Sequence, residues 1–140
     1  MDWKACVESF TAKRISPEKG LISSLSLKSK NRLSTAARLL IDETTAESVI
    51  TLHYDSLREL LEALANAHGY KIYNHECYGA FLKEILKKEE TAEAFDRFRK
   101  LRNSINYYTR RVSPQDAKMI AKEMSDLIKT CRTWLEEALK

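Results

Sequence analysis

The sequence from Ser113 to Ala138 reads SPQDAKMIAKEMSDLIKTCRTWLEEA, and its apolar residues recur at spacings of three and four. The buried stripe that this spacing defines consists of Ala117, Ile120, Ala121, Met124, Leu127, Ile128, Cys131, Leu135 and Ala138. Ser113 is a preferred N-cap residue, and Pro114 and Asp116 are favoured in the first turn of a helix. The stretch therefore predicts an amphipathic α-helix over residues 114 to 138.

Four further segments toward the N-terminus show the same period and predict helices near residues 17–41, 44–68, 75–86 and 91–109. Their ends carry recognisable signals. Ser16 precedes a proline, Thr44 to Glu47 match a capping box, Gly69 is a helix stop and Asn74 is an N-cap residue.

Length and composition indicate one domain over residues 1–140, because the chain has 140 residues, 44% of them hydrophobic and 31% charged. Trp3, Cys6, Val7 and Phe10 indicate a short helix within an N-terminal extension of residues 1–15. With only three glycines and two prolines, nothing resembles a strand meander. The predicted fold is all-α, an up-and-down helical bundle of about five helices with essentially no sheet.

The three cysteines are Cys6, Cys77 and Cys131, which are far apart, odd in number and without Cys-x-x-Cys spacing. This pattern predicts neither a disulfide framework nor a zinc site, and it favours a reducing cytoplasm. Cys77 and Cys131 fall on apolar faces and are expected to be core thiols. No apolar stretch approaches about 18 residues, and the first four residues do not resemble a signal peptide, so we expect a cytoplasmic protein without membrane contact.

One helical stripe contains a charged residue. Residues 99 to 108 read RKLRNSINYY, and Arg102 shares a face with Phe95, Phe98, Ile105 and Thr109. A guanidinium keeps its charge in a protein and therefore needs a carboxylate, a carbonyl or an anionic ligand nearby. A structural alternative is a buried pair between Arg102 and a carboxylate such as Glu59 or Glu62.

The charge around Arg102 favours an anionic ligand. Only Asp96 opposes the cations of this stretch, which are Arg97, Arg99, Lys100, Arg102, Arg110 and Arg111. The net charge of +4 is mild for a nucleic-acid-binding protein. Any nucleic-acid site must therefore come from this local cluster.

Two stretches of the chain resemble archaeal and bacterial HEPN domains, over roughly residues 16 to 138. The first is YDSLRELLEAL at residues 54–64, running on to Gly-Tyr-Lys at 69–71 and His-Glu-Cys at 75–77, and the second runs from Leu-Arg-Asn at 101–103 to Tyr-Tyr at 107–108. The resemblance implies a helical bundle that usually dimerises and carries an Arg-x4-6-His motif on a late helix. It also implies a metal-independent endoribonuclease of a toxin–antitoxin or defence system.

The resemblance places the motif arginine at Arg102 and the polar residue that follows it at Asn103. Tyr107 occupies the position of the motif histidine, and no histidine lies beyond Asn103. A phenol with an ordinary pKa near 10 is a poor base at neutral pH, so we expect RNA binding with slow or no cleavage. The candidate catalytic residues are Arg102, Asn103 and Tyr107. Those proposed to contact RNA or nucleotide are Arg99, Asn106, Tyr108, Arg110 and Arg111.

The expected partners are RNA or a nucleotide and a second copy of the chain, and no metal or other cofactor is expected. The alternatives are a non-catalytic module that binds a protein such as a nucleotidyltransferase, which in this family modifies a tyrosine near the motif, and a plain structural bundle. Among the histidines, His53 is expected to be a hydrogen-bonded core residue and His68 the end of a helix. His75 is expected to contact backbone at a helix start.

Overall fold

The computed structural model describes residues 1–140, which form six α-helices, one π-helical turn and two short strands. The α-helices are α1 (Trp3–Glu8), α2 (Lys19–Ala37), α3 (Ala46–Ala67), α4 (His75–Ala80), α5 (Glu89–Tyr107) and α6 (Pro114–Ala138). The π-helical turn Phe81–Ile85 continues α4. The strands are β1 (Ala12–Arg14) and β2 (Tyr70–Ile72). The predicted all-α class and the short N-terminal helix are confirmed.

Helix α3 lies at the centre of the bundle, in contact with α2 on one side and α6 on another, and also with α5. It is buried on several faces because its apolar residues are not confined to one stripe. Fully buried side chains of the core include Tyr54, Leu57, Leu60, Leu61, Leu64, Phe81, Phe95 and Met124. The core thereby fixes the residues of α3 that face α4 and α5.

Two of the predicted caps are confirmed and two are wrong. The Ser113 hydroxyl accepts from the Asp116 amide at 3.1 Å, and the Asn74 side chain accepts from the Glu76 amide at 2.8 Å. The capping box at Thr44 does not form, because Asp42 instead accepts from the Thr44 and Thr45 amides.

The second error is at the start of α2, which begins at Lys19 with Glu18 as its N-cap residue, rather than after Ser16. The Glu18 amide donates to the Asn66 side chain at 2.8 Å, so a tertiary contact with α3, and not a serine cap, satisfies this donor.

A two-stranded antiparallel sheet was missed by the sequence analysis. β1 pairs with β2, with Ala12 opposite Ile72. Gly69 precedes β2 with a φ of +85°, and a Cβ there would lie 3.3 Å from the Ile15 carbonyl oxygen, so the predicted stop at Gly69 is confirmed. Strands of three residues are too short for alternation to show in the sequence.

The prediction about the cysteines is wrong in one respect. Cys6 and Cys77 are joined by a disulfide, with their Cα atoms 6.1 Å apart, which fastens α1 to α4. Cys77 is therefore buried as predicted but is not a free thiol, whereas Cys131 is both buried and free. The disulfide removes the cysteine-based reason for predicting a reducing compartment, because such bonds persist mainly in oxidising ones.

Helix α5 ends at Tyr107, two residues earlier than predicted. Thr109 follows in a left-handed conformation with φ of 56° and is exposed, so it does not belong to the buried stripe. The stripe is confirmed from Phe95 to Ile105. None of the helices combines the length and the apolar character needed to cross a bilayer.

Candidate anion-binding site around Arg102

Arg102 lies on the face of α5 that packs against α3, and its side chain is half-buried. Its guanidinium carbon is 5.5 Å from the centre of the Tyr54 ring, a cation–π distance. Its Nε is buried and has no hydrogen-bond partner. The guanidinium is therefore held by an aromatic face and retains unused donors.

The predicted structural alternative, a buried pair between Arg102 and a carboxylate of α3, is wrong. Glu59 instead pairs with Arg32 of α2 at 3.1 Å, and Glu62 pairs with Arg58 of its own helix at 3.5 Å. Arg102 forms no ion pair with any carboxylate of the chain. A buried polar group without a partner costs stability, so Arg102 differs from the other arginines that approach α3.

Tyr54 links Arg102 to His75. The Tyr54 hydroxyl oxygen is 3.1 Å from His75 Nδ1, and the ring of Tyr54 is stacked near Phe95 with centroids 5.9 Å apart. Tyr54 itself is fully buried, so its position is set by the core. His75 and Arg102, which come from different helices, thus meet the hydroxyl and the ring of one fixed side chain.

The structure corrects the expectation for His75, which begins α4 but contacts a side chain rather than backbone. Burial, followed by the positive charges of Arg58 and Arg102, lowers the pKa of His75. Burial raises the pKa of Tyr54 to about 12, although the neighbouring arginines oppose this shift. At neutral pH the imidazole is therefore uncharged and the phenol keeps its proton.

Two other arginines lie near this site, but both already have carboxylate partners. Arg99 donates twice to Asp96 Oδ1, at 3.0 and 2.7 Å, and Arg58 pairs with Glu62. Arg99 was predicted to contact nucleic acid. In the structure, Arg102 is the guanidinium of this group that no carboxylate engages.

The remaining predicted site residues continue along α5 to the loop beyond it. Asn103 is half-buried, next to Arg102, and Asn106 is exposed about one turn later. Tyr107 and Tyr108 are 68% and 78% exposed. The exposed basic residues of the loop are Arg110 and Arg111. Arg111 Nε lies 3.6 Å from Glu47 Oε2, so these two residues form an ion pair.

The other two histidines lie apart from Arg102. His53 is 8% exposed and its Nδ1 is 2.8 Å from the Val49 carbonyl oxygen, so the predicted core role is confirmed. His68 is the C-cap residue of α3, as predicted, and packs near Phe81. No group of three or more His, Cys, Asp or Glu side chains is arranged to hold a metal ion.

The contact between Tyr54 and His75 is the feature that sequence reasoning missed. Its signal was faint, because the two residues are 21 positions apart and lie on two helices whose relative placement the sequence does not reveal. Neither protein-family models nor curated proteins nor solved structures match this chain.

Proposed function

We propose that this chain is a HEPN-like domain that binds the phosphate backbone of RNA through Arg102. The observation that carries this proposal is the half-buried guanidinium with an unpartnered Nε and no carboxylate partner. The fixed, planar donors of a guanidinium match the oxygens of a phosphate. The contact with the Tyr54 ring positions the guanidinium in advance, which lowers the conformational cost of binding.

Residues further along α5 extend the proposed contact along a strand of RNA. Asn103 and Asn106, three residues apart, carry amides that can bond phosphate or ribose oxygens. The exposed rings of Tyr107 and Tyr108 offer stacking surfaces for bases at the end of the helix. In this arrangement Tyr107 contributes to binding.

The resemblance to HEPN domains leads us to propose a homodimer in which two α5 helices lie near the shared axis. Both Arg102 residues would then border one cleft. A two-fold interface burying more than about 1,000 Å² in total would support this arrangement. A monomer at micromolar concentration in equilibrium sedimentation would contradict it.

Fluorescence anisotropy with a labelled single-stranded RNA tests the phosphate contact. We expect Arg102→Ala to weaken binding by about tenfold or more, because a hydrogen bond to a charged group contributes roughly 1.5–3 kcal/mol. The matched control is Arg97→Ala, which removes an equal charge from an exposed position of α5 that pairs with Glu123. Equal affinities of Arg102→Ala and wild type would overturn the proposal.

The salt dependence of the same titration reports how many phosphates are engaged. We expect affinity to fall steeply between about 50 and 200 mM salt, and the slope to decrease by about one for each basic contact removed at Arg110 or Arg111. Binding that ignores salt over this range would show that the backbone is not the ligand.

The exposure of Tyr108 favours one second candidate, a partnership with a nucleotidyltransferase that modifies this tyrosine. Incubation with such an enzyme and a nucleoside triphosphate would then add one nucleotidyl group, detected by intact-protein mass spectrometry. Tyr108→Phe should prevent the addition, whereas Tyr73→Phe, at another exposed tyrosine, should not.

A further inference from the structure

We infer that Lys13 and Lys71, on the exposed face of the two-stranded sheet, form a second phosphate contact for the RNA strand bound at Arg102. This inference rests on the proposed function and deepens it, because it gives the bound RNA a path away from α5. The observation that carries it is a pair of like charges that the fold places together and leaves without a carboxylate.

The sheet itself brings the two lysines together. Lys13 of β1 is directly opposite Lys71 of β2 in the antiparallel register. Their neighbours Ala12 and Ile72 are buried, so the alternation along each strand turns both lysine side chains outward, where both are exposed. Like charges directly opposite one another destabilise a sheet. The lysine pair is therefore a cost to the fold.

Both ammonium groups also approach one aromatic ring. Lys13 Nζ and Lys71 Nζ each lie 5.6 Å from the centre of the Tyr73 ring, which belongs to a residue that is 54% exposed. Neither lysine forms an ion pair with a carboxylate of the chain. Two positive charges are thus held around one ring in contact with solvent, and an anion bound there would offset their repulsion.

The lysine pair is close to the Arg102 site along the chain. Tyr73 is two residues before His75, so their Cα atoms are at most about 7.6 Å apart. His75 Nδ1 is 3.1 Å from the Tyr54 hydroxyl oxygen, and Arg102 lies over the ring of Tyr54. A single strand held by the guanidinium can therefore continue past the start of α4 to the exposed face of the sheet.

The side chains around the pair favour single-stranded RNA over a lipid surface. Phe10 is 85% exposed and directly precedes Thr11, whose carbonyl accepts from the Tyr73 amide. An exposed aromatic ring beside cations is a stacking surface for a base. Attachment to a membrane surface instead requires a broad apolar face, which these strands of three residues do not present.

The central test is fluorescence anisotropy with a single-stranded RNA of about 16 nucleotides and one of about four. We expect Lys13→Gln/Lys71→Gln to weaken binding of the longer RNA by about fivefold, because two exposed charge contacts each contribute modestly. The salt slope should decrease by between about one and two. Binding of the shorter RNA, which depends on Arg102, should stay within about twofold of wild type.

Matched variants separate this contact from net charge. Lys28→Gln/Lys30→Gln removes the same charge from exposed positions of α2 and should leave the affinity for both RNAs unchanged. Lys13→Arg/Lys71→Arg keeps the two charges and should bind the longer RNA as wild type does. Equal affinities of Lys13→Gln/Lys71→Gln and wild type for the longer RNA would overturn the inference.

Charge reversal separates RNA binding from stability. Lys71→Glu places opposite charges across the strands, so the melting temperature should rise by about 1–4 °C. The affinity for the longer RNA should fall by about tenfold or more, because an attraction is replaced by a repulsion. A lower melting temperature would show that the lysines support the fold, and an unchanged affinity would show that they do not bind RNA. Either result would overturn the inference.

The outcomes distinguish this inference from the proposed function. Weak binding by Arg102→Ala together with wild-type affinity of Lys13→Gln/Lys71→Gln would overturn only the inference. The converse result would overturn the proposed role of Arg102 and support the lysine pair. Wild-type protein that binds vesicles of phosphatidylcholine and phosphatidylserine through the two lysines, without their having any effect on RNA, would assign the pair to a lipid surface and overturn the inference.

Discussion

Arg32 and Arg102 both approach the central helix α3, but they end in opposite environments. Arg32 of α2 donates to Glu59, whose side chain is 3% exposed, at 3.1 Å. Arg102 of α5 reaches the face of Tyr54 and leaves Nε without an acceptor. The first arginine neutralises a buried carboxylate and thereby belongs to the architecture. The second has a charge that contacts an aromatic ring but that no carboxylate of the chain neutralises.

The contacts among α2, α3 and α6 extend this contrast. Arg132 of α6 donates to the hydroxyls of Ser26 and Ser29 at 3.0 and 3.1 Å. Ser29 in turn bonds Ser56 of α3 at 2.8 Å. Every member of this network has a partner within the chain, as buried polar groups normally do. The exception therefore lies on the other side of α3, where α4 and α5 meet it.

The largest effect that would test this contrast is the loss of RNA affinity in Arg102→Ala. We expect the dissociation constant to rise by about 10- to 100-fold, because the guanidinium proposed to bind the phosphate is gone. The free energy of unfolding should change by less than about 2 kcal/mol, since a cation–π contact and the packing of the stem are lost but no ion pair is broken. Urea denaturation measures the second quantity. A large destabilisation would place Arg102 with the architectural arginines.

The next effect in size concerns the disulfide, which fastens α4 and with it His75. Reduction, or Cys6→Ser, should lower the free energy of unfolding by about 2–4 kcal/mol, the usual contribution of a disulfide that closes a long loop. Hydrogen exchange should rise in α1 and α4, while α2, α3 and α6 keep their protection. A reductant added to Cys6→Ser should have no further effect. A loss of protection in all of these helices would show that α1 and α4 do not open independently of α2, α3 and α6.

Sequence reasoning recovered the parts of this molecule that depend on local signals. The stripe of α6, the caps at Ser113 and Asn74, the stop at Gly69 and the core role of His53 each follow from neighbours a few residues away. One failure is also local, since Asp42 replaces the capping box predicted at Thr44, but the larger failures involve distant partners. The Cys6–Cys77 disulfide joins residues 71 positions apart.

The same reason accounts for what was missed at the site. Arg102 was singled out because its charge interrupts an apolar stripe, which is a local pattern. Its partner could not be named, since Glu59 and Tyr54 are both on α3 and only the placement of α5 decides between them. His75 was identified as a helix-start residue, but its contact with Tyr54 depends on how α4 packs.

A smaller effect is expected where α2 packs against α3. Arg32→Met leaves the Glu59 carboxylate buried without its partner and should cost about 2 kcal/mol, below the roughly 3–5 kcal/mol of a fully buried pair because Arg32 is half exposed. RNA affinity should stay within about threefold of wild type, because Arg32 is not at the proposed site. Glu59→Gln in the same background should restore part of the stability by removing the stranded charge. Failure of this rescue would contradict a charge-based cause.

The smallest effect is the pH dependence of stability that comes from His53, in the core, and His75, near Arg102. Burial lowers the pKa of both His53 and His75. The unfolded chain therefore binds more protons than the folded one as pH falls from 7 through the ordinary value near 6.5, so stability should decrease over that interval. His53→Gln and His75→Gln should each weaken this dependence.

A bound phosphate should change the pKa of His75 but not that of His53. RNA bound at Arg102, as proposed, would place a negative charge near His75 and should raise its pKa, since an anion favours the imidazolium. The pKa of His53, enclosed in the core next to the Val49 carbonyl, should not move. Nitrogen-15 NMR titrations with and without RNA measure the pKa values of both histidines in one sample. Equal responses, or a shift at His53 alone, would show that the anion binds away from Arg102 and His75.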